Sequence, residues 1–144
     1  MVGLQEYLTK IDPLKRLRVG AKFSPKYALN LVKKIKKYHG KIFLAYDGKK
    51  VIGCIAGIVE KQSKNNLLEC VKTRAGRVLE LFVDASYRHS GIGHALMEKM
   101  ENYFRKNHCD LVRIEVFEPN KIARKFYKKL GYGDRLIDVM KVLK

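Results

Sequence analysis

The chain has 144 residues, 47% of them hydrophobic and 31% charged, which suits one domain of ordinary size and excludes wholesale disorder. Its formal net charge is +17, from 31 Lys and Arg against 14 Asp and Glu. The charge-free run in mid-chain, Val51 to Val59, is far short of the ~20 residues of a membrane helix. Nor do residues 1–6 build the basic-then-apolar pattern of a secretory signal, so the expectation is a single soluble, cytoplasmic domain over 1–144, with no membrane partner.

The first 23 residues carry no clear periodic signal. Ser24-Pro25 then predicts a helix start, with Ser as N-cap and Pro at the first helical position. Ala28, Leu31, Ile35 and Tyr38 form one stripe, Lys33, Lys34, Lys36 and Lys37 face away, and His39-Gly40 ends the helix. Ile42 to Tyr46 reads as a strand that turns at Asp47-Gly48 into a second, Val51 to Val59. The polar, mostly basic stretch from Glu60 to Gly76 is expected to be loop or ragged strand ends. Arg77 to Val83 is the next strand, and Gly93 to Lys106 a helix with Leu96, Met100, Tyr103 and Phe104 inward. Met97 and Met100 are core filling.

Leu111 to Phe117 alternates Val112, Ile114 and Val116 against Arg113 and Glu115, a half-buried strand. Pro119-Asn120 opens a last helix with Ile122, Ala123, Phe126, Tyr127 and Leu130 inward, closed by Gly131. Leu136 to Leu143 is expected to close the chain as a strand. The order α-β-β-β-α-β-α-β gives an α/β protein with a mixed sheet covered by helices.

Cys54, Cys70 and Cys109 are an odd count without CxxC spacing, which argues against a disulfide framework and a zinc cluster. The four histidines have no metal-ligand spacing, and no metal is expected. The positive field draws anions, whether nucleic acid, an acidic membrane surface or a phosphorylated small molecule. A lysine-coated surface with no specific partner is the plain alternative.

Two segments carry chemistry. Arg88-His89-Ser90-Gly91-Ile92-Gly93 lies between a strand and a helix, where two glycines allow a tight turn and bare N–H groups meet the positive end of a helix. That suits a pyrophosphate. A dinucleotide fingerprint is excluded because Leu96 stands where the third glycine belongs, and a Walker A loop because His94 follows Gly93. The second segment is Asn120 to Tyr132. Asn120 can cap its helix, and Tyr127, on the face of Ala123 and Leu130, reads from the residues alone as a core tyrosine.

Together these segments resemble the GNAT family of acetyl-CoA-dependent N-acetyltransferases. Its R/Q-x-x-G-x-G/A motif is matched by Arg88, Gly91 and Gly93, and its N-x-x-A-x-x-F-Y-x-x-x-G-F/Y element by Asn120, Ala123, Phe126, Tyr127, Gly131 and Tyr132. The resemblance runs from about Ile42 to Lys144 and implies the GNAT fold, a mixed central β-sheet flanked by helices on both faces. It also implies acetyl-CoA as co-substrate. The backbone of Leu81, Phe82 and Val83 would pair with the pantetheine arm, and the N–H groups of His89, Ser90, Gly91, Ile92, Gly93, His94 and Ala95 would hold the pyrophosphate, in the motif that Arg88 opens. Asn120 would lie near the pantetheine, and Tyr127 would protonate the departing thiolate. Glu115 is the first expected base, at the strand position that carries glutamate in the ribosomal-protein alanine acetyltransferase branch, and Glu80 the second. Ala85, where the family often has proline, is a departure that removes no chemistry.

The resemblance implies direct transfer to a primary amine, first a protein N-terminus or lysine and second a small-molecule amine. Many family members dimerise, so a homodimer is compatible with it. The alternative from another class is a non-catalytic basic binding module of the same fold for nucleic acid or an acidic protein. Exposed aromatics interleaved for base stacking are not evident, which counts against single-strand recognition.

Overall fold

The apolar run from Val51 to Val59 becomes the centre of the sheet. In a computed structural model, which describes residues 2–18 and 23–143, it lies in β2 (Lys50–Glu60), antiparallel to β1 (Lys41–Asp47) and to β3 (Ala75–Val83). The last strand, β4 (Leu111–Ile114), pairs parallel with β3, so the order is β1-β2-β3-β4. Ile52, Ile55, Ala56, Ile58 and Val59 are buried, as a strand covered on both faces requires. By their contacts the residues form two units, Pro25–Glu115 and Met1–Ser24 with Val116–Lys144.

In the first of these units the alternation along β2 assigns a helix to each face. Ala56 and Ile58 pack with Ile35 of α2 (Phe23–Lys37), joined by Leu31, Tyr38, Ile42 and Leu79. Gly57 faces the other way, toward Phe104 and Met100 of α4 (Ile92–Lys106), and Gly53 toward Leu96 and Ile92. Leu96, Met97, Met100 and Phe104 are all at most 3% exposed, so the methionine pair is core, as its spacing predicts.

Two irregularities shape the sheet. Ala56 pairs with Glu80 and Gly57 with Val78, so Leu79 is an extra residue on β3, a bulge that bends the strand. The pairing of β3 with β4 stops at Val78 and Ile114, whereas β3 runs on to Val83.

The helix and strand boundaries follow the sequence in most places. Gly48 takes φ +54 in the two-residue loop between Asp47 and Lys50. At the end of α2 the left-handed residue is His39 (φ +46), not Gly40. Gly40 is needed for close approach, since a Cβ there would sit 2.5 Å from the Gly57 carbonyl. The helix itself begins at Phe23, ahead of the expected cap, and the Ser24 side chain lies outside the described residues.

Two expectations are corrected, over 60–76 and 136–143, and the opening stretch, for which no element is expected, gains one. The 60–76 stretch contains α3 (Lys64–Glu69), capped by Ser63 Oγ, which accepts from Asn66 N–H. The opening residues hold α1 (Val2–Ile11). No strand forms over 136–143, where Leu136, Ile137, Val139, Val142 and Leu143 are exposed. The stretch is apolar at six of its eight positions, but no strand of the sheet pairs with it, and an unpaired strand is not stable by itself.

Within the other unit, the buried Asp12 carboxylate accepts backbone N–H groups of Leu14, Arg16 and Leu17 at 2.6–3.0 Å, fixing the turn after α1. The last helix, α5 (Lys121–Lys129), is capped by Asn120 Oδ1, which accepts from Ala123 N–H at 3.2 Å, and Gly131 ends it at φ +87. Ile122 is 65% exposed rather than inward.

Candidate functional site

The site residues expected from sequence fall along one path in the sheet unit and on α5 in the other. Leu81, Phe82 and Val83 are half-buried on β3 and pair with Ile55, Cys54 and Gly53. Among the described residues no strand pairs with their opposite edge, because β4 has ended. An edge of this kind presents backbone donors and acceptors to any extended ligand.

After Val83 the chain makes a tight turn. Asp84 caps a 3-10 turn over Ala85–Tyr87 by accepting from Ser86 N–H, and the Lys50 ammonium lies 3.1 Å from its carboxylate. These contacts hold the Asp84 carboxyl below the usual range, the Ser86 N–H contributing most. Tyr87 donates to Asp47 at 2.6 Å, so the turn is tied to the β1–β2 hairpin. Arg88 Nε reaches the Val83 carbonyl at 3.4 Å, and Ser90 Oγ donates to the Tyr87 carbonyl.

His89 and Gly91 then take φ +65 and +85. Gly91 is the N-cap of α4 and offers no side-chain hydrogen bond, so the first N–H groups of the helix, at Ile92, Gly93 and His94, have no side-chain cap. Nothing lies within 4 Å of the position a Gly91 Cβ would take. Ala95 N–H is already used by the Gly91 carbonyl at 3.0 Å, in the regular helical bond.

The two expected bases differ in surroundings. Glu80, beside the bulge and on the α2 face opposite Ala56, accepts a hydrogen bond from the Tyr27 hydroxyl. Burial pushes its carboxyl above the ordinary range, while the Tyr27 hydrogen bond pulls the other way. Burial, with Glu80 alongside, pushes the Tyr27 phenol up as well. Glu115 is exposed and lies 2.6 Å from Arg77 Nη2 and 3.8 Å from Arg113 Nη2. Arg77 and Arg113 also hold Glu60, at 3.0 and 3.3 Å.

On α5, Tyr127 is half-buried in an aromatic cluster, edge-on to Phe126 at 5.2 Å and to Tyr132 at 5.9 Å. Cys54 is half-buried with its thiol pushed up by burial, the opposite of an activated nucleophile. Among the described residues no group of three or more His, Cys, Asp or Glu is arranged to hold a metal ion. No helix is long and apolar enough to cross a membrane, among the described residues. Sequence reasoning missed Tyr27; its signal was the spacing to Leu31, Lys34 and Tyr38 along one helix face.

Among the described residues, the β3 edge left unpaired runs into a glycine turn at a helix N-terminus, a geometry that suits an extended, anion-bearing ligand. The model of the acetyltransferase (GNAT) family matches residues 10–132, and the chain belongs to that family. An uncharacterized N-acetyltransferase of Methanocaldococcus jannaschii is 41% identical over 61 residues, covering 42% of this chain and 39% of that protein. The N-alpha-acetyltransferase 30 of Homo sapiens is 33% identical over 90 residues, 62% of this chain and 23% of the relative. The matched parts thus span well under half of these relatives. A mutant of the BH1408 protein of Bacillus halodurans superposes with a TM-score of 0.86 at 18% identity, over 99% of this chain and 88% of that one. AAC(6')-Iy, in complex with the bisubstrate analog CoA-S-monomethyl-acetylneamine, gives a TM-score of 0.66 at 18% identity, over 94% and 86%. These likenesses establish the GNAT fold, a mixed sheet with helices.

Proposed function

We propose that the chain transfers the acetyl group of acetyl-CoA directly to a primary amine. The observation that carries this reading is the free edge of β3 from Leu81 to Val83, which leads into the left-handed Gly91 and the uncapped start of α4. The edge suits a pantetheine arm and the helix start a pyrophosphate, in the order that acetyl-CoA presents them. The family resemblance assigns Asn120, which caps α5 through its Oδ1, a place near the pantetheine.

An alkyl amine, with a pKa of roughly 10, must lose a proton before it attacks a thioester at neutral pH. We rank Glu80 ahead of Glu115 as the acceptor of that proton. Burial raises the basicity of Glu80, whereas the Glu115 carboxylate is engaged by Arg77 and Arg113. Attack then forms a tetrahedral centre, whose collapse breaks the C–S bond. Tyr127 gives its phenolic proton to the thiolate as it leaves.

The acceptor is first a protein N-terminus, in keeping with the relative named N-alpha-acetyltransferase 30, or a lysine, and second a small amine, in keeping with the fold neighbour named as an aminoglycoside N-acetyltransferase. Calorimetric titration with acetyl-CoA at low and moderate salt tests the reading. One site per chain that survives moderate salt supports it. Absence of binding, combined with tight and steeply salt-dependent binding to nucleic acid, would instead make the chain a basic binding module.

A further inference from the structure

Two adjoining cavities, of about 270 and 230 Å³, open on the face of the sheet that α2 covers, and both have Lys34 and Arg77 in their walls. The first is closed by Tyr27, the residue that holds Glu80, and floored by Leu31 and Leu79; the second continues past Ile58 to Lys61. Together they make a groove with Tyr27 at one end, whose hydroxyl donates to the Glu80 carboxylate behind it.

We propose that this groove binds the acceptor and selects a polypeptide N-terminus with an acidic side chain at its third or fourth residue. The inference rests on the transferase reading above and adds the substrate class to it. Tyr27, Leu31, Lys34 and Tyr38 lie along one side of α2, at spacings of four, three and four, so Lys34 borders the groove rather than facing away as its charge predicts. Tyr27 and Lys34 are two turns apart, about 10 Å along the helix. An extended peptide advances about 3.3 Å per residue, so an amine at Glu80 brings its third or fourth side chain level with Lys34.

Charge decides the class. Arg77 is neutralised by Glu60 and Glu115, and Glu60 is shared with Arg113, so this network of two guanidinium groups and two carboxylates cancels. Lys34 and Lys61 remain. Both are exposed at the groove, and among the described residues neither is in an ion pair. Their charge matches an acidic side chain, while the floor of Leu31, Ile58 and Leu79 suits the apolar stretch of chain before it.

The test uses three peptides that differ only at residue three, with Glu, Gln or Lys, each labelled at the C-terminus. Binding is read by anisotropy, and transfer by release of the coenzyme A thiol. The Glu peptide is expected to bind and react about fivefold better than the Gln peptide, the scale of exposed ion pairs, and the Lys peptide to be worst. Lys34→Glu with Lys61→Glu is expected to reverse the order. Equal binding of all three peptides by the wild type, or an order unchanged in the double variant, overturns the proposal. Charge-selective binding without thiol release keeps the groove and removes the transferase reading. Transfer to small amines without any peptide binding does the opposite.

Discussion

The hydroxyl of Tyr27 donates to Glu80 across 53 positions of sequence, joining the first turns of α2 to β3 just past its bulge. The bulge matters because Leu79 is left over in the pairing with β2. The extra residue lets Glu80 face α2 while Leu79 still packs on Ile35 and Ala56. The side chains that interact with Glu80 include Tyr27 from α2 and Cys54 from β2.

Removing the donor has a definite sign. The Tyr27 hydrogen bond lowers the Glu80 pKa against the larger effect of burial, so Tyr27→Phe raises it further. A base works only when deprotonated, and the acid limb of the kcat/KM profile therefore moves to higher pH in Tyr27→Phe. In Glu80→Gln the limb is expected to vanish, with turnover down by about 10²–10⁴-fold. Profiles of both variants against the wild type, in a thiol-release assay, check this; an unmoved limb in Tyr27→Phe would separate the tyrosine from the base.

Linkage gives the same carboxylate a stability signature. Its folded pKa lies above the ordinary 4.5, so its stabilising contribution is complete below that value and is lost as pH rises through the folded pKa. Glu80→Gln is expected to gain in melting temperature relative to wild type between pH 4 and pH 7. A gain equal at both pH values would mean that the burial of the charge is not its cause.

The contact of β2 with α4 leaves no room for a side chain at Gly57. A Cβ there would lie 2.7 Å from the Phe104 ring and 2.9 Å from the Met100 sulfur, both on fully buried side chains. Gly57→Ala should cost about 1–3 kcal/mol by overpacking. Urea denaturation reads the loss, and Phe104→Leu in the same chain should recover part of it.

Much of this was legible in the sequence because it rests on local signals. The stripe of α2, the Asp47-Gly48 turn, the α4 core positions and the Asn120 cap each depend on residues within one or two turns of each other. What stayed hidden depends on partners. Six residues of α3 are too few to show a helical period. The bulge at Leu79 exists only relative to β2, and the pairing of Tyr27 with Glu80 only once α2 lies on the sheet. Leu136 to Leu143 misled for the same reason: an apolar run proposes a strand, but pairing makes one.

The turn at Gly91 can be tested apart from the chemistry. At φ +85 an L side chain is strained by roughly 1–2 kcal/mol, yet open space surrounds the missing Cβ. Gly91→Ala therefore acts through the backbone alone and should weaken acetyl-CoA binding by about tenfold. Gly91→Asn, which tolerates the left-handed region, should lose less. Calorimetry with both variants decides it; equal loss would point to crowding of the ligand by any side chain.

Tyr127 separates binding from turnover. It sits between Phe126 and Tyr132, so Tyr127→Phe keeps the ring and its edge-on packing and removes only the hydroxyl. If that hydroxyl protonates the thiolate, the rate falls by about 10²-fold or more while acetyl-CoA affinity stays nearly unchanged. The loss should shrink for thioesters whose leaving thiol has a lower pKa, because a better leaving group needs less help from the acid. Unchanged turnover in Tyr127→Phe would remove the phenol from the mechanism and leave water as the proton source.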